Sequence, residues 1–217
     1  MDRLRSAITV ILLALTSNTA AAQLMSTCVA NSPERRGEFG CSIVVRELLP
    51  NGLPEPLFWH IDRLDSLQQD HVRVDSTSFA FAAAGEFWLI TIESHTSQHH
   101  RGEHVARGGP LSLRRAARYA IQIQTAAFGP GMYSVVHHHS GVEVVYVMAG
   151  EACYETPTRA AKLQKGETVA IPAGTPHRAV VTGVATRQVF AIIVYDASQP
   201  PTTAMEMGAG PQLVPCE

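Results

Sequence analysis

Residues 131–150 read GMYSVVHHHSGVEVVYVMAG, and the fold of this chain turns on them. Glycine opens the stretch at Gly131 and closes it at Gly150, with His137, His139 and Glu143 between. On an extended strand, side chains two apart share a face and sit roughly 6.6 Å from one another. His137 and His139 can therefore converge on one ion while His138 points away, toward solvent or the outer sheet face. Ser140 and Gly141 permit a bend. Glu143 then returns on the next stretch, adding a charged oxygen ligand, with Val145 and Val147 continuing its face as apolar lining.

A second stretch, residues 166–180, reads GETVAIPAGTPHRAV. Pro172 and Gly174 set a tight turn, which fixes the direction of the following strand and aims His177 at the site built by the first stretch. Three imidazoles and a carboxylate leave positions on a divalent ion for water or substrate, so the expected site is open and reactive. Iron, manganese, nickel, copper and zinc all suit these ligands. With 10 histidines in 217 residues, three chosen positions would all be histidine by composition about one time in ten thousand.

The two stretches resemble the paired motifs of the cupin family at Gly131, His137, His139, Glu143 and Gly150, then at Gly166, Pro172, Gly174 and His177. The second motif usually carries asparagine four residues after its histidine, where this chain has Val181. That position is not a ligand in the family, so the departure touches a pocket contact and leaves the ligand set intact. The resemblance implies a double-stranded β-helix, a small jelly roll. It also implies one divalent first-row metal held by His137, His139, Glu143 and His177, and chemistry on an oxygen-bearing small molecule that extends to dioxygenase activity. Glu143 would double as a catalytic base on detaching from the metal. The rival is a module that holds metal and ligand without turnover, and a third reading is metal-assisted isomerisation or hydrolysis. Upstream, GCSIVVREL at Gly40, FWHID at Phe58 and WLITI at Trp88 look similar to the N-terminal region of bacterial cupin-domain proteins.

Outside the motifs, short runs rich in Val, Ile, Phe and Tyr alternate with Gly and Pro, the pattern of an all-β protein. Strands are expected at 41–48, 79–81, 86–93, 119–128, 133–139, 143–148, 152–156, 167–171, 177–182 and 187–195. A short helix is expected over 62–70, where Ile61, Leu64 and Leu67 fall on one face. The Gly-rich connector at 101–110 divides a β-rich region, 23–115, from the barrel, 116–200, and a Pro/Gly/Met-rich tail follows over 201–217. Gln122 and Gln124 alternate with Ile121 and Ile123, whose side chains should be buried. Tyr154 and Gln188 are candidate substrate contacts. His95, His99, His100 and His104 have no strand spacing and read as a solvated loop.

Arg3 and Arg5 precede an apolar run from Ile8 to Leu15, and small residues follow to Ala22: a secretory signal peptide over 1–22, too short to span a bilayer. Its removal takes Arg3, Arg5 and Asp2, so 17 basic and 19 acidic side chains become 15 and 18. Neither that balance nor any run of charge builds a nucleic-acid or membrane surface, which leaves small molecules as partners. A homodimer through sheet edges would cover exposed strands. Four cysteines suit a secreted or periplasmic, oxidising compartment. Their placement suggests the pairs Cys41–Cys153 and Cys28–Cys216.

Overall fold

The computed structural model describes residues 24–25, 29–30, 40–67, 71–94, 101–205 and 210–216. In chain order its strands are β1 (Leu24–Met25), β2 (Val29–Ala30), β3 (Gly40–Leu48), β4 (Leu57–Leu64), β5 (His71–Arg73) and β6 (Ser78–Ala83). Next come β7 (Glu86–Ser94), β8 (Glu103–Gly108), β9 (Tyr119–Phe128), β10 (Tyr133–Ser134), β11 (His137–His139) and β12 (Val142–Ala149). The last are β13 (Glu151–Glu155), β14 (Ala160–Gln164), β15 (Thr168–Ile171), β16 (Arg178–Val180), β17 (Arg187–Asp196) and β18 (Thr202–Ala204). No helix occurs among the described residues. The protein is all-β.

Two sheets face each other across the barrel. One is ordered β15-β12-β17-β9-β3-β2 and the other β1-β10-β16-β13-β14. The register centres on β17, where Ile193 lies opposite both Glu143 of β12 and Gln122 of β9. Strand β3 comes from upstream of residue 115 and joins the first sheet beside β9.

A period of two along β12, β17 and β9 gives this sheet two buried faces. Glu143, Val145 and Val147 turn to the barrel interior with Val189 and Ala191, and Gln122 and Gln124 accompany them. The opposite side presents Val144, Tyr146, Ile121, Ile123, Phe190 and Ile192. A third sheet, β5-β6-β7-β4-β8, packs onto that side with Trp59, Ile61, Phe81 and Trp88. Trp88 lies 5.3 Å from both Tyr146 and Phe190, and Phe81 meets Phe190 edge-on at 5.3 Å, separations at which aromatic pairs add to simple burial. The isoleucines are buried as expected, and the N-terminal β-rich extension is the cover of the barrel's outer apolar face.

Three expectations need correction. Residues 62–64 end strand β4, so the helix over 62–70 does not start; residues 68–70 lie outside the described part. The sequence FWHIDRL alternates with period two, burying Trp59 and Ile61 in the central core, and that tertiary demand overrides the helical spacing of Ile61, Leu64 and Leu67. Residues 103–108 of the supposed connector form β8 on the edge of the third sheet, where His104 Nδ1 lies 2.8 Å from Asp62 Oδ1. His95, His99 and His100 lie outside the described residues. Cys153 is joined to Cys216 rather than to Cys41. Cys41 is also disulfide-bonded, and Cys28, like the segment 1–22, lies outside the described residues.

Candidate metal centre

The site begins with the break between β10 and β11. The expected continuous strand over 133–139 stops at Ser134 and resumes at His137, and His137 and His177 then exchange backbone hydrogen bonds of 3.0 and 2.9 Å. This bridge ties the two motifs together at their ligand residues. The turn before His177 closes through Thr175 N–H donating to the Pro172 carbonyl at 3.1 Å. Gly174 has φ +77° at its third position, the left-handed conformation such a turn needs. Its own N–H donates to the His139 carbonyl at 2.8 Å, fastening the turn to the histidine strand. Gly141 serves the other bend: a Cβ there would sit 1.9 Å from the Val194 carbonyl oxygen, so only glycine lets β12 start this close to β17.

These constraints bring His137, His139 and His177 together, with one ligand atom from each within 4.8 Å of the others. Glu143 completes the group: Oε1 lies 3.4 Å from His139 Nε2 and Oε2 lies 3.0 Å from His177 Nε2. All four residues named from sequence meet in one place. His138 stays outside the cluster, opposite Thr203 of β18.

The protons on these rings are placed by their outer partners. Nδ1 of His137 is 2.8 Å from the Val135 carbonyl, that of His177 is 2.9 Å from Thr175, and that of His139 is 3.0 Å from Pro201. A carbonyl only accepts, so each Nδ1 carries the hydrogen and each Nε2 keeps its lone pair for the interior. Nε2 of His139, Nε2 of His177 and Oε2 of Glu143 are buried without a hydrogen-bond donor. Acceptors facing acceptors in a buried space need a proton or a metal ion between them, and three imidazoles beside a carboxylate are a donor set that fits a metal ion.

The electrostatics point the same way. Burial, reinforced by His177 and His139, pushes His137 down to about 3, holding it neutral. Burial works to raise the Glu143 carboxyl, but His139 and His177 outweigh it and hold the group well below the usual carboxylate range. Burial by itself would lower His177; the adjacent Glu143 carboxylate carries the net direction upward. The centre is thus a place where a proton and a metal ion compete.

A cavity of about 320 Å³ opens from the centre into the barrel. Ala126, Val189 and Ala191 form an aliphatic wall, while Val145 and Val147, expected as lining, pack instead into the inner core cluster. Tyr154 lines the cavity. Gln188 lies on the alternate side of β17, and its neighbour Arg187 occupies the cavity wall in its place. Arg187 escaped the sequence reading, although it stands in phase with Val189 and Ala191 on a strand whose other side is Phe190, Ile192 and Val194. Pro201 and Thr202 escaped it too. Strand β18 folds back onto β11 with His139 opposite Thr202, and this brings part of the tail into the site.

A protein-family model described as a cupin domain matches residues 124–193. No curated protein sequence matches the chain. Among solved structures, a cupin-like protein from Thermotoga maritima shares 18% identity, with 42% of this chain and 86% of that one covered at a TM-score of 0.36. The DMSP lyase DddQ from Ruegeria pomeroyi shares 21%, covering 39% and 43% with a TM-score of 0.36. An oxalate oxidase in complex with the substrate analogue glycolate shares 20%, covering 39% and 46% with a TM-score of 0.34. The chain thus spans less than half the length of these last two proteins. With both motifs meeting at one centre inside the segment that the family model matches, residues 124–193 form a cupin domain.

Proposed function

We propose that this protein is a secreted or periplasmic metalloenzyme that holds one divalent first-row metal through His137, His139, Glu143 and His177 and acts on an oxygen-bearing small molecule. The observation that carries it is the set of buried acceptors without donors, Nε2 of His139 and His177 and Oε2 of Glu143, at the end of a cavity large enough for a small ligand. When bound there, such a metal would supply Lewis-acid polarisation of a substrate oxygen and, for a redox-active ion, oxygen activation of the dioxygenase type. The chain's own part is to hold the imidazoles neutral, exclude bulk water and orient the ligand. Glu143 is the acidic side chain among the cavity residues, so it is the group to receive a substrate proton, at Oε2. The disulfide Cys153–Cys216 and the oxidised Cys41 support an oxidising compartment, and the signal-peptide reading of residues 1–22 agrees with it.

Elemental analysis of the native protein tests the metal, and oxygen uptake by protein loaded with each of the five metals, offered flavonols, thiols and enediols, tests the chemistry. Near-stoichiometric metal that is lost in His177→Ala supports the assignment, whereas metal-free protein that also fails to take up any of the five ions overturns it. The reading as a binding module is favoured by one observation: outside the four candidate ligands, the polar cavity residues, Arg46, Gln122, Gln124, Ser134, Tyr154, Arg187 and Thr202, are groups that hold a ligand rather than exchange protons near neutral pH. Burial keeps the Tyr154 hydroxyl protonated up to about 12. Stoichiometric metal and tight ligand binding with no oxygen uptake and no product would decide for that module.

A further inference from the structure

Arg187 opens β17 on the barrel's inner side and is 3% exposed. Among the described residues no carboxylate lies within ion-pair reach of it, and its Nε and Nη1 have no hydrogen-bond partner. Its Nη2 donates to the Tyr154 hydroxyl at 2.8 Å, and its guanidinium lies over the rings of Phe128 at 4.9 Å and Tyr154 at 5.4 Å. These contacts soften the cost of burying the charge but bring no negative charge to it. Buried cations are nearly always paired. Arg187 borders the same cavity as the metal ligands, and that cavity is where a missing anion can sit.

A second feature acts in the same direction. Arg46 donates through Nε and Nη2 to Gln122 Oε1 at 3.0 and 2.6 Å. An arginine only donates, so the Gln122 amide is fixed with its nitrogen away from Arg46, and that nitrogen donates to Gln124 Oε1 at 2.9 Å. The relay therefore presents Gln124 to the cavity as a donor. Tyr154 accepts from Arg187, so its own O–H is likewise free to donate. The cavity collects donors and positive charge around a short aliphatic wall.

We propose that the ligand of this cavity is a small organic acid whose carboxylate is taken by Arg187 and the hydroxyl of Tyr154, with Gln124 as a further donor. The aliphatic body lies along Ala126, Val189 and Ala191, and a second oxygen function reaches the metal ligands. The acid end stands on Arg187 alone; only the oxygen end rests on the metal assignment made above.

The test is calorimetric and thermal-shift titration of the metal-loaded and chelator-treated full chain. The probes are acetate, butyrate, hexanoate, lactate and 2-oxobutyrate, each beside its neutral primary amide, with chloride as the ionic control. At least one acid is expected to bind the wild type and raise its melting temperature, while its amide and chloride do not. Arg187→Met keeps the length and apolar stem but removes the charge. It should weaken that acid about a hundredfold, the loss of two charge-assisted hydrogen bonds, leave metal stoichiometry unchanged, and leave the ligand-free melting temperature equal or higher. Arg187→Lys should recover part of the affinity.

Amides binding as well as acids, no acid binding at all, or an Arg187→Met protein that binds acid normally would each overturn the proposal. So would an Arg187→Met protein whose ligand-free melting temperature falls steeply while Arg187→Lys binds no acid, since Arg187 would then be a packing residue. Acid binding in a protein that takes no metal would sink the metal assignment and leave this one standing. Full metal loading with an Arg187-independent ligand would do the reverse.

Discussion

Replacing Glu143 by glutamine keeps the shape of the centre and removes its charge, and its effect on metal-dependent stability can be worked out from the geometry. Glu143 is 3% exposed and has an oxygen at 3.0 Å from His177 Nε2 and another at 3.4 Å from His139 Nε2. Among the described residues that line the cavity it is the one carboxylate, so it is the anion set against a bound cation. Stripping one partner from a buried charged pair costs at least ~3 kcal/mol, a factor of about 160 in the metal dissociation constant. At a free metal concentration of about one hundred times the wild-type dissociation constant, the metal contributes ~2.7 kcal/mol of stability to the wild type and only ~0.3 kcal/mol to the variant. For a chain of this size the melting temperature moves by about 2–4 °C per kcal/mol, so a metal-induced shift of roughly 5–11 °C should collapse to about 1 °C.

The metal-free comparison separates a ligand from a structural residue. At alkaline pH, once the proton shared by His177 and Glu143 is gone, the wild type holds buried acceptors against one another. A glutamine amide would donate to one of those imidazoles, so the metal-free variant should melt at or above the wild-type temperature. Thermal melts with and without chelator, with metal content read in parallel, supply both numbers. An unchanged metal-induced shift, or a chelated variant several degrees less stable than the chelated wild type, would refute this account of Glu143.

Acid should destabilise the metal-free protein through His137: its folded value of about 3 lies below the ordinary 6.5, so the unfolded chain binds the proton first. Stability is then full above about pH 6.5 and falls toward pH 3 by up to ~5 kcal/mol. Glu143, depressed when folded, adds to that acid loss, while His177, raised when folded, adds stability below about pH 6.5 that disappears as pH rises; urea titrations across the range that show no acid loss would contradict the His137 assignment. Gly141→Ala places a methyl 1.9 Å from the Val194 carbonyl two residues before Glu143, and it should cost at least ~2 kcal/mol and weaken metal binding together, a result checked by denaturation and metal titration. Cys216→Ala opens a loop with sequence separation 63; it should cost ~4 kcal/mol and lower protection from hydrogen exchange in β18, beside His139, more than in β7.

The centre was legible because its ligands sit in stretches where local rules suffice. Two-residue spacing aligns His137 with His139, and Pro172 with Gly174 makes a turn that needs little help from elsewhere. Strand β9 was read at its observed limits because Ile121, Ile123 and the intervening glutamines alternate cleanly. Strand β14 was not, since Ala160, Ala161, Lys162, Leu163 and Gln164 are good helix formers, and only pairing with β13 makes them a strand. Strand β18 was hidden for a similar reason: Thr202–Ala204 has no signature of its own and is held by register against His137–His139. Its backbone contact to His139 cannot be inferred from residue types, because the Pro201 carbonyl would serve equally from any residue at that position.

The same alternation explains why this barrel carries an N-terminal sheet at all. Opening the interior for a metal centre and a ligand leaves Glu143, Gln122, Gln124 and Arg187 on the inner side of the main sheet, where much of a small barrel's apolar contact would otherwise lie. The outer side compensates with Ile121, Ile123, Val144, Tyr146, Phe190 and Ile192, a surface too apolar to leave in water. The third sheet covers it with Trp59, Ile61, Phe81 and Trp88. Stability is thereby placed on one side of β12, β17 and β9 and chemistry on the other, one residue apart along the chain. Trp88→Ala should accordingly cost ~3–5 kcal/mol while leaving the geometry at His137, His139 and His177 intact in the molecules that remain folded. A Trp88→Ala protein with normal stability and impaired metal binding would show that the two faces are not divided in this way.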